Sequence, residues 1–279
     1  MTIEALPVEF LTLVAFAFGA CIGSFLNVCI WRIPRDESVV HPGSHCPKCG
    51  RPIAWFDNIP LVSWVALRAR CRACGAPISP RYVLVEALVA VLFGWIAWRH
   101  GWDVRTPLYC LVAAGLVLAT FVDLDEMYIP DRVSLGGIAA GLVMSLLWPG
   151  LHGVDTAFAG FRSAAVGALA GSGSLAALAW VGTRMFGKEA MGMGDVKLLG
   201  AIGAFLGWQG VAFTFFVSAF AGAAVGLTMI AMRRKELQSA IPFGPYLALG
   251  AIVWILGGDS LWIQYLRFMT HTADPGFGG

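Results

Sequence analysis

The chain has 279 residues, of which 58% are hydrophobic and 13% are charged. Soluble domains average about 45–50% apolar and about 25% charged residues, so this composition excludes an ordinary soluble protein and predicts several membrane crossings. The formal net charge of +2 is too small to indicate a nucleic-acid partner.

The first uncharged run, Phe10–Trp31, is long enough to span a bilayer. Two glutamates precede it, and Arg32 and Arg35 follow it, which is the reverse of the charge polarity of a cleaved secretory signal. We therefore expect residues 1–31 to remain as a first transmembrane helix with its N-terminus outside.

Further apolar runs follow along the chain. They are Tyr82–Trp98, Thr106–Val122, Val133–Trp148, Ser163–Thr183, Leu198–Met232 and a last run around Tyr246–Gly258. The run that ends at Met232 is long enough for two short spans, and Gly207-Trp208-Gln209-Gly210 is the natural point of division. The sequence thus predicts an all-α polytopic membrane protein with about eight transmembrane helices.

The basic residues test this topology. Fifteen of the 19 lysines and arginines fall in the segments 32–81, 123–132, 184–197 and 233–243. Loops rich in lysine and arginine face the cytoplasm, so these segments are predicted to be cytoplasmic. The acidic side chain of Glu86, close behind Arg81 in the second span, is expected to snorkel to that surface, with a substrate contact as the alternative.

The predicted cytoplasmic loop 32–81 carries two Cys-x-x-Cys-Gly motifs, at Cys46 and Cys49 and at Cys71 and Cys74. This spacing is typical of a zinc-ribbon-like Cys₄ site, and a metal would supply folding energy to a loop too short to bury a core. Disulfides or a redox pair are the alternatives, but a cytoplasmic location argues against disulfides. His41 and His45 could substitute as ligands, although four cysteines already complete a shell.

Acidic residues gather at two predicted cytoplasmic membrane ends. Asp123, Asp125, Glu126 and Asp131 close the third span, and Asp195 opens a later one within Gly192-Met193-Gly194-Asp195. Two facing carboxylates share a proton. One of them can then activate water as a general base while the other protonates the developing tetrahedral intermediate. Three alternatives stay open: a divalent-metal enzyme that uses Asp-x-Asp, a proton- or cation-coupled transporter, and simple solvated surface acids.

The motifs together resemble those of bacterial type IV prepilin peptidases, which are membrane aspartyl proteases. They occur in order along almost the whole chain, as Gly23-Ser24-Phe25-Leu26-Asn27-Val28, Arg32-Ile33-Pro34, the two cysteine motifs, Asn58-Ile59-Pro60-Leu61-Val62-Ser63, Arg81-Tyr82 with Val85-Glu86, Asp123-Leu124-Asp125 with Ile129-Pro130-Asp131, Gly192-Met193-Gly194-Asp195 and Pro242-Phe243-Gly244-Pro245-Tyr246.

The resemblance implies that Asp123 and Asp195 are the catalytic pair, with Asp125 as the rival of Asp123. It implies cleavage after glycine of the basic leader of type IV prepilins and type II secretion pseudopilins, at the cytoplasmic face of the inner membrane. It also implies methylation of the new N-terminal residue with S-adenosylmethionine, although no glycine-rich loop identifies a donor pocket. The corresponding protease domain is 82–266, and 267–279 is a C-terminal tail.

Overall fold

The computed structural model describes residues 7–187, 191–232 and 242–272. Within these residues the chain forms nine α-helices and no β-strand. The helices are α1 (Val8–Arg32), α2 (Val62–Ala66), α3 (Pro80–His100), α4 (Arg105–Glu126), α5 (Asp131–Leu147), α6 (Ala157–Phe186), α7 (Met193–Ala231), α8 (Gly244–Val253) and α9 (Asp259–Thr272).

Six helical stretches in the described part of the chain are long and apolar enough to cross a membrane. The helix α5, with 17 residues, is shorter than all of them. With α5 included, and with α7 divided into two spans, the count agrees with the predicted eight. The prediction of an all-α polytopic protein is confirmed.

The division of α7 depends on one glycine. A straight helix of 39 residues would be about 58 Å long, nearly twice the thickness of the hydrocarbon core. Gly207 interrupts it with φ 70° and ψ 178°, a backbone conformation that a side chain would disfavour. The break that the sequence predicts at Gly207-Trp208-Gln209-Gly210 is therefore present.

The last helical stretch is longer than predicted. The predicted span Tyr246–Gly258 stopped at the paired glycines Gly257 and Gly258. In the structure the chain passes through a π-helical turn at Trp254–Gly258 and continues as α9. Gly257 adopts the non-helical conformation that this turn needs, with φ 142°, so the glycines bend the helix without ending it.

Residues 1–133 form one compact unit, in which α1 and α4 both pack on α3. The contact between α1 and α3 depends on small residues. A Cβ atom placed on Gly23 would lie 2.7 Å from the Cα of Glu86, and one on Gly19 would lie 2.8 Å from the carbonyl oxygen of Val89. The two backbones therefore approach more closely than larger side chains would allow.

Residues 134–279 form the second compact unit, built mainly from α6, α7 and α8. Glycines again set the helix separation. A Cβ atom on Gly171 of α6 would overlap the carbonyl oxygen of Leu199 of α7, and one on Gly250 of α8 would lie 2.8 Å from the carbonyl oxygen of Thr214. This unit is fixed by close backbone contact, in agreement with small-residue packing in membranes.

Glycine packing gives the first prediction. Gly171→Ala should destabilise the protein by about 1–3 kcal/mol, because the new methyl group overlaps the backbone of α7. Gly173→Ala is the matched control, since Gly173 lies in the same helix with no atom within 4 Å of its Cβ position. Thermal unfolding in detergent would measure both, and equal melting temperatures would contradict the packing argument.

Candidate active site and metal centre

The two cysteine motifs fold into the same local structure. The Cys46 N–H donates to the Arg51 carbonyl (3.0 Å), and the Cys71 N–H donates to the Ala76 carbonyl (2.8 Å). Each loop then turns at a glycine with positive φ, 69° at Gly50 and 70° at Gly75. The trailing glycines of the sequence motif are therefore required by the turn geometry.

The four thiols come together. The Sγ atoms of Cys46, Cys49, Cys71 and Cys74 all lie within 4.8 Å of one another, and those of Cys46 and Cys74 are 3.9 Å apart. Tetrahedral zinc with Zn–S bonds of about 2.3 Å places sulfur atoms about 3.8 Å apart, so the cluster has the dimensions of a Cys₄ metal site. The predicted grouping of the cysteines is present, and it can hold a metal ion.

The local electrostatics favour a thiolate at one position. Hydrogen bonds from the backbone of Cys49 and then of Lys48 lower the pKa of Cys46 to about 6. A backbone hydrogen bond at Ala76 lowers the pKa of Cys74, but burial and hydrogen bonds to the other three thiols outweigh it and raise the value to about 11. The histidines do not join the cluster, since His41 and His45 contact the carbonyl oxygens of Val40 and Gly43.

Asp123 lies in the last turn of α4, in the first unit, and only 5% of its surface is exposed. The helix ends soon after it, where Met127 takes a left-handed conformation and its N–H donates to the Asp123 carbonyl. The carboxylate is therefore positioned by a helix end at a predicted membrane boundary.

Asp125 has a different environment from Asp123. The guanidinium of Arg81 donates hydrogen bonds to both carboxylate oxygens of Asp125, at 2.8 Å and 2.6 Å, and to the Phe121 carbonyl at 3.3 Å. The Asp125 side chain is 34% exposed. A bidentate arginine pair of this kind fixes the orientation of the carboxylate.

The other acids of this cluster form an exposed rim. Glu126 accepts a hydrogen bond from Arg35 at 3.1 Å, and both side chains are more than one third exposed. Burial raises the pKa of Tyr128, and the nearby carboxylates of Asp36 and Glu126 raise it further. The positive charge of Arg132 acts in the opposite direction, so carboxylates and an arginine both lie near this phenol at the end of α4.

Asp195 lies in the second unit, in the first turn of α7, with 9% of its surface exposed. Gly192 caps the helix in an extended conformation, and the Asp195 N–H donates to the Gly192 carbonyl at 3.2 Å. A Cβ atom on Gly192 would lie 3.5 Å from one oxygen of the Asp195 carboxylate. The glycines thus leave space beside the Asp195 carboxylate, which lies at the positive end of the helix dipole.

Glu86 does not snorkel to the surface, so that expectation is wrong. Its side chain is buried in the first unit, with 9% exposure, and its carboxylate accepts the backbone N–H of Leu61 at 2.8 Å. The sequence gives no periodic signal for this bond, because its acceptor and donor are 25 positions apart. The same is true of the Arg81–Asp125 pair, whose members are 44 positions apart.

The fold and these side chains define a class of protein: a polytopic membrane protein with buried carboxylates at two helix ends and, in a loop, a cluster of four thiols that can hold a metal ion. Residues 17–100 match the family described as "Bacterial Peptidase A24 N-terminal domain", and residues 110–227 match the "Type IV leader peptidase family". The chain belongs to the type IV leader peptidase family.

Individual relatives match over nearly the whole length. The prepilin leader peptidase/N-methyltransferase of Aeromonas hydrophila is 40% identical, and the match covers 94% of this chain and 96% of the relative. The protein of the same description from Myxococcus xanthus is 42% identical over 82% of this chain and 67% of its own length. The one from Pseudomonas aeruginosa is 36% identical over 94% and 95%. No solved structure gives a significant match.

Proposed function

We propose that the protein is a membrane aspartyl endopeptidase that removes the leader of type IV prepilins and pseudopilins after glycine and then N-methylates the new N-terminus. The observation that carries the proposal is the match of one chain to both the N-terminal region and the peptidase region of the family. Relatives that carry both activities in their names align over most of both chains. No observation favours a transporter.

The proposed hydrolysis uses Asp123 and Asp195 as a pair that shares one proton. The ionised carboxylate takes a proton from water as the water oxygen bonds to the scissile carbonyl carbon. The protonated partner gives its proton to the carbonyl oxygen. As the C–N bond breaks, the first carboxylate passes the proton from water to the leaving amine nitrogen, and the partner recovers a proton from a hydroxyl of the tetrahedral intermediate. The burial of both aspartates supports this role, because two carboxylates that are close together and weakly solvated cannot both ionise easily.

Asp123 is the better candidate than Asp125 for the first acid. A catalytic carboxylate must contact the attacking water and the substrate carbonyl, whereas both carboxylate oxygens of Asp125 already accept hydrogen bonds from the guanidinium of Arg81. We assign Asp125 and Arg81 a positioning role, in which the pair joins the start of α3 to the end of α4.

Leader recognition follows from charge. Glu126 and the carboxylates of Asp36 and Asp131 near Tyr128 form a rim of acidic side chains beside the end of α4. A leader that carries lysine and arginine would be attracted to this rim before its glycine reaches the acids. The distribution of lysine and arginine supports placing the rim on the cytoplasmic side of the inner membrane.

The metal that we propose for the four cysteines is zinc, in a structural role. The sulfur separations fit tetrahedral coordination, and four thiolates leave no open position for a substrate. When bound, zinc would crosslink two turns that are otherwise joined only by a short loop. S-adenosylmethionine would supply the methyl group for the second reaction, and we assign no residue to its binding.

The carboxylate pair gives the second prediction. Asp123→Asn and Asp195→Asn should each lower prepilin cleavage by about 10²–10⁴-fold or more, because an amide cannot transfer the proton. Asp125→Asn is the matched control, and the loss of its half-exposed ion pair should cost about fivefold or less. Cleavage of a purified prepilin in detergent would measure this. Full activity of either of the first two variants would exclude that residue from catalysis.

The thiol cluster gives the third prediction. Elemental analysis should find one zinc per chain, and the double variant Cys46→Ser with Cys71→Ser should lose it. Cys21→Ser is the control, since Cys21 is an exposed cysteine of α1 outside the cluster. Unchanged zinc in the double variant would contradict the four-cysteine site.

The second activity gives the fourth prediction. Purified protein, a prepilin and a methyl-labelled S-adenosylmethionine should yield a cleaved pilin that carries the label on its N-terminal nitrogen. Mass spectrometry of that peptide would detect it. Normal cleavage without label would show a peptidase that does not methylate, and labelling without cleavage would contradict the proposed order.

A further inference from the structure

The segment 55–66 lies in the cysteine-bearing loop 32–81, between the two Cys-x-x-Cys-Gly motifs, and its surface is unlike that of a soluble domain. It exposes five large apolar side chains: Trp55 at 81%, Phe56 at 48%, Ile59 at 41%, Val62 at 61% and Val65 at 68%. The single acid of this segment, Asp57, is bound by both arms of the Arg72 guanidinium at 2.7 Å and 2.6 Å. Outwardly, the segment is therefore almost entirely apolar.

The depth of the segment follows from its bond to α3. This helix has 21 residues and is about 31 Å long, so its whole length is needed to cross a hydrocarbon core of about 30 Å. Glu86 lies six residues after Pro80, which places it about 9 Å below the start of the helix. That distance exceeds the reach of a glutamate side chain. Since the Leu61 N–H is 2.8 Å from this carboxylate, Leu61 lies below the start of α3.

A second contact also places the Glu86 carboxylate away from the helix ends. Gly23 of α1 faces Glu86, and it lies nine residues, or about 13 Å, before the end of α1 at Arg32. Along both α1 and α3, the Glu86 carboxylate therefore lies between the two ends of the helix. A loop residue that reaches it cannot stand in the cytoplasm above the bilayer.

The backbone of the segment is hydrogen-bonded as a low-dielectric environment requires. The Ile59 N–H donates to the Ser63 hydroxyl (3.1 Å), the Val62 N–H to the Pro60 carbonyl (2.6 Å) and the Ser63 N–H to the Ile59 carbonyl (3.0 Å). Pro60 has no N–H, and the N–H of Leu61 is the one taken by Glu86. Every backbone donor from 59 to 63 is therefore satisfied within the protein, as membrane-buried backbone must be.

Leu61 has a strained backbone conformation, which the hydrogen bonds of this segment hold in place. Its φ of 63° and ψ of −48°, with the bond from Val62 to Pro60, make a γ-turn that a side chain disfavours. The carboxylate of Glu86 fixes this turn. Val62 and Val65 follow at a spacing of three residues, so they lie on the same side of α2.

We propose that residues 59–66 dip into the cytoplasmic leaflet, with Val62 and Val65 in contact with lipid acyl chains. The neighbouring Arg68 and Arg70 are exposed, and their charge suits anionic headgroups. Exposed apolar side chains continue along the adjoining transmembrane helices, as at Leu84 of α3. The loop is thus a membrane-inserted element, although its length and charge indicate a purely cytoplasmic domain.

The test uses the full-length protein in nanodiscs of phosphatidylethanolamine and phosphatidylglycerol. Benzoylphenylalanine replaces Val65 or, as the matched control, Val40, which is equally exposed at 69% in the same loop. After irradiation, mass spectrometry of the protein should find phospholipid adducts severalfold more abundant at position 65 than at position 40. Retained prepilin cleavage and zinc content would show that the variants are folded.

Three results would overturn the proposal. They are equal lipid adducts at both positions, no lipid adduct at position 65, or a position-65 adduct with a second copy of the chain in place of lipid. If the position-65 variant does not fold, Val62, exposed at 61%, supplies a second labelling site with the same expected outcome.

Discussion

Holding carboxylates inside or beside hydrocarbon is the constraint on which this structure depends. An ionised carboxylate without partners costs tens of kcal/mol in a medium of dielectric constant about 4, so each one must be paired, hydrogen-bonded or protonated. Glu86 meets this requirement with a backbone N–H from the cysteine-bearing loop 32–81. Asp195 lies at a helix N-terminus, where the dipole favours negative charge. The burial of such groups is costly, and a protein retains them where their chemistry is used.

Close helix packing is what keeps these acids in place. Gly23 lets α1 reach the backbone of α3 at Glu86 itself, with only 2.7 Å between its Cβ position and the facing Cα atom. In the second unit, Gly171 meets α7 at Leu199, one turn beyond Asp195. Lipid offers no hydrophobic drive to press helices together, so close backbone contact takes over that role. The glycines therefore serve the acids as well as the fold.

Local features were predictable from the sequence, and contacts across the chain were not. The cysteine turns and the kink at Gly207 depend on residues within a few positions of each other, so their spacing indicates the geometry. The bond from Leu61 to Glu86 and the pair of Arg81 with Asp125 join distant segments, and no periodicity marks them. The last helix was predicted too short because a π-helical turn accommodates Gly257, and sequence patterns treat paired glycines as an end. The catalytic assignment of Asp123 and Asp195 stays a prediction.

The cysteine-bearing loop shows how a short segment between two membrane helices can acquire a fixed structure. About fifty residues bury too little surface to fold alone. The thiol cluster orders the two ends of the loop, around 44–53 and 69–78, where paired backbone hydrogen bonds flank each turn. The middle is held by different means, through the Asp57–Arg72 pair and the Leu61 N–H on Glu86. A metal crosslink alone would leave that middle free to move in the cytoplasm. The hydrogen bond from Leu61 to Glu86, within the length of α3, instead fixes the middle of the loop against the membrane helices.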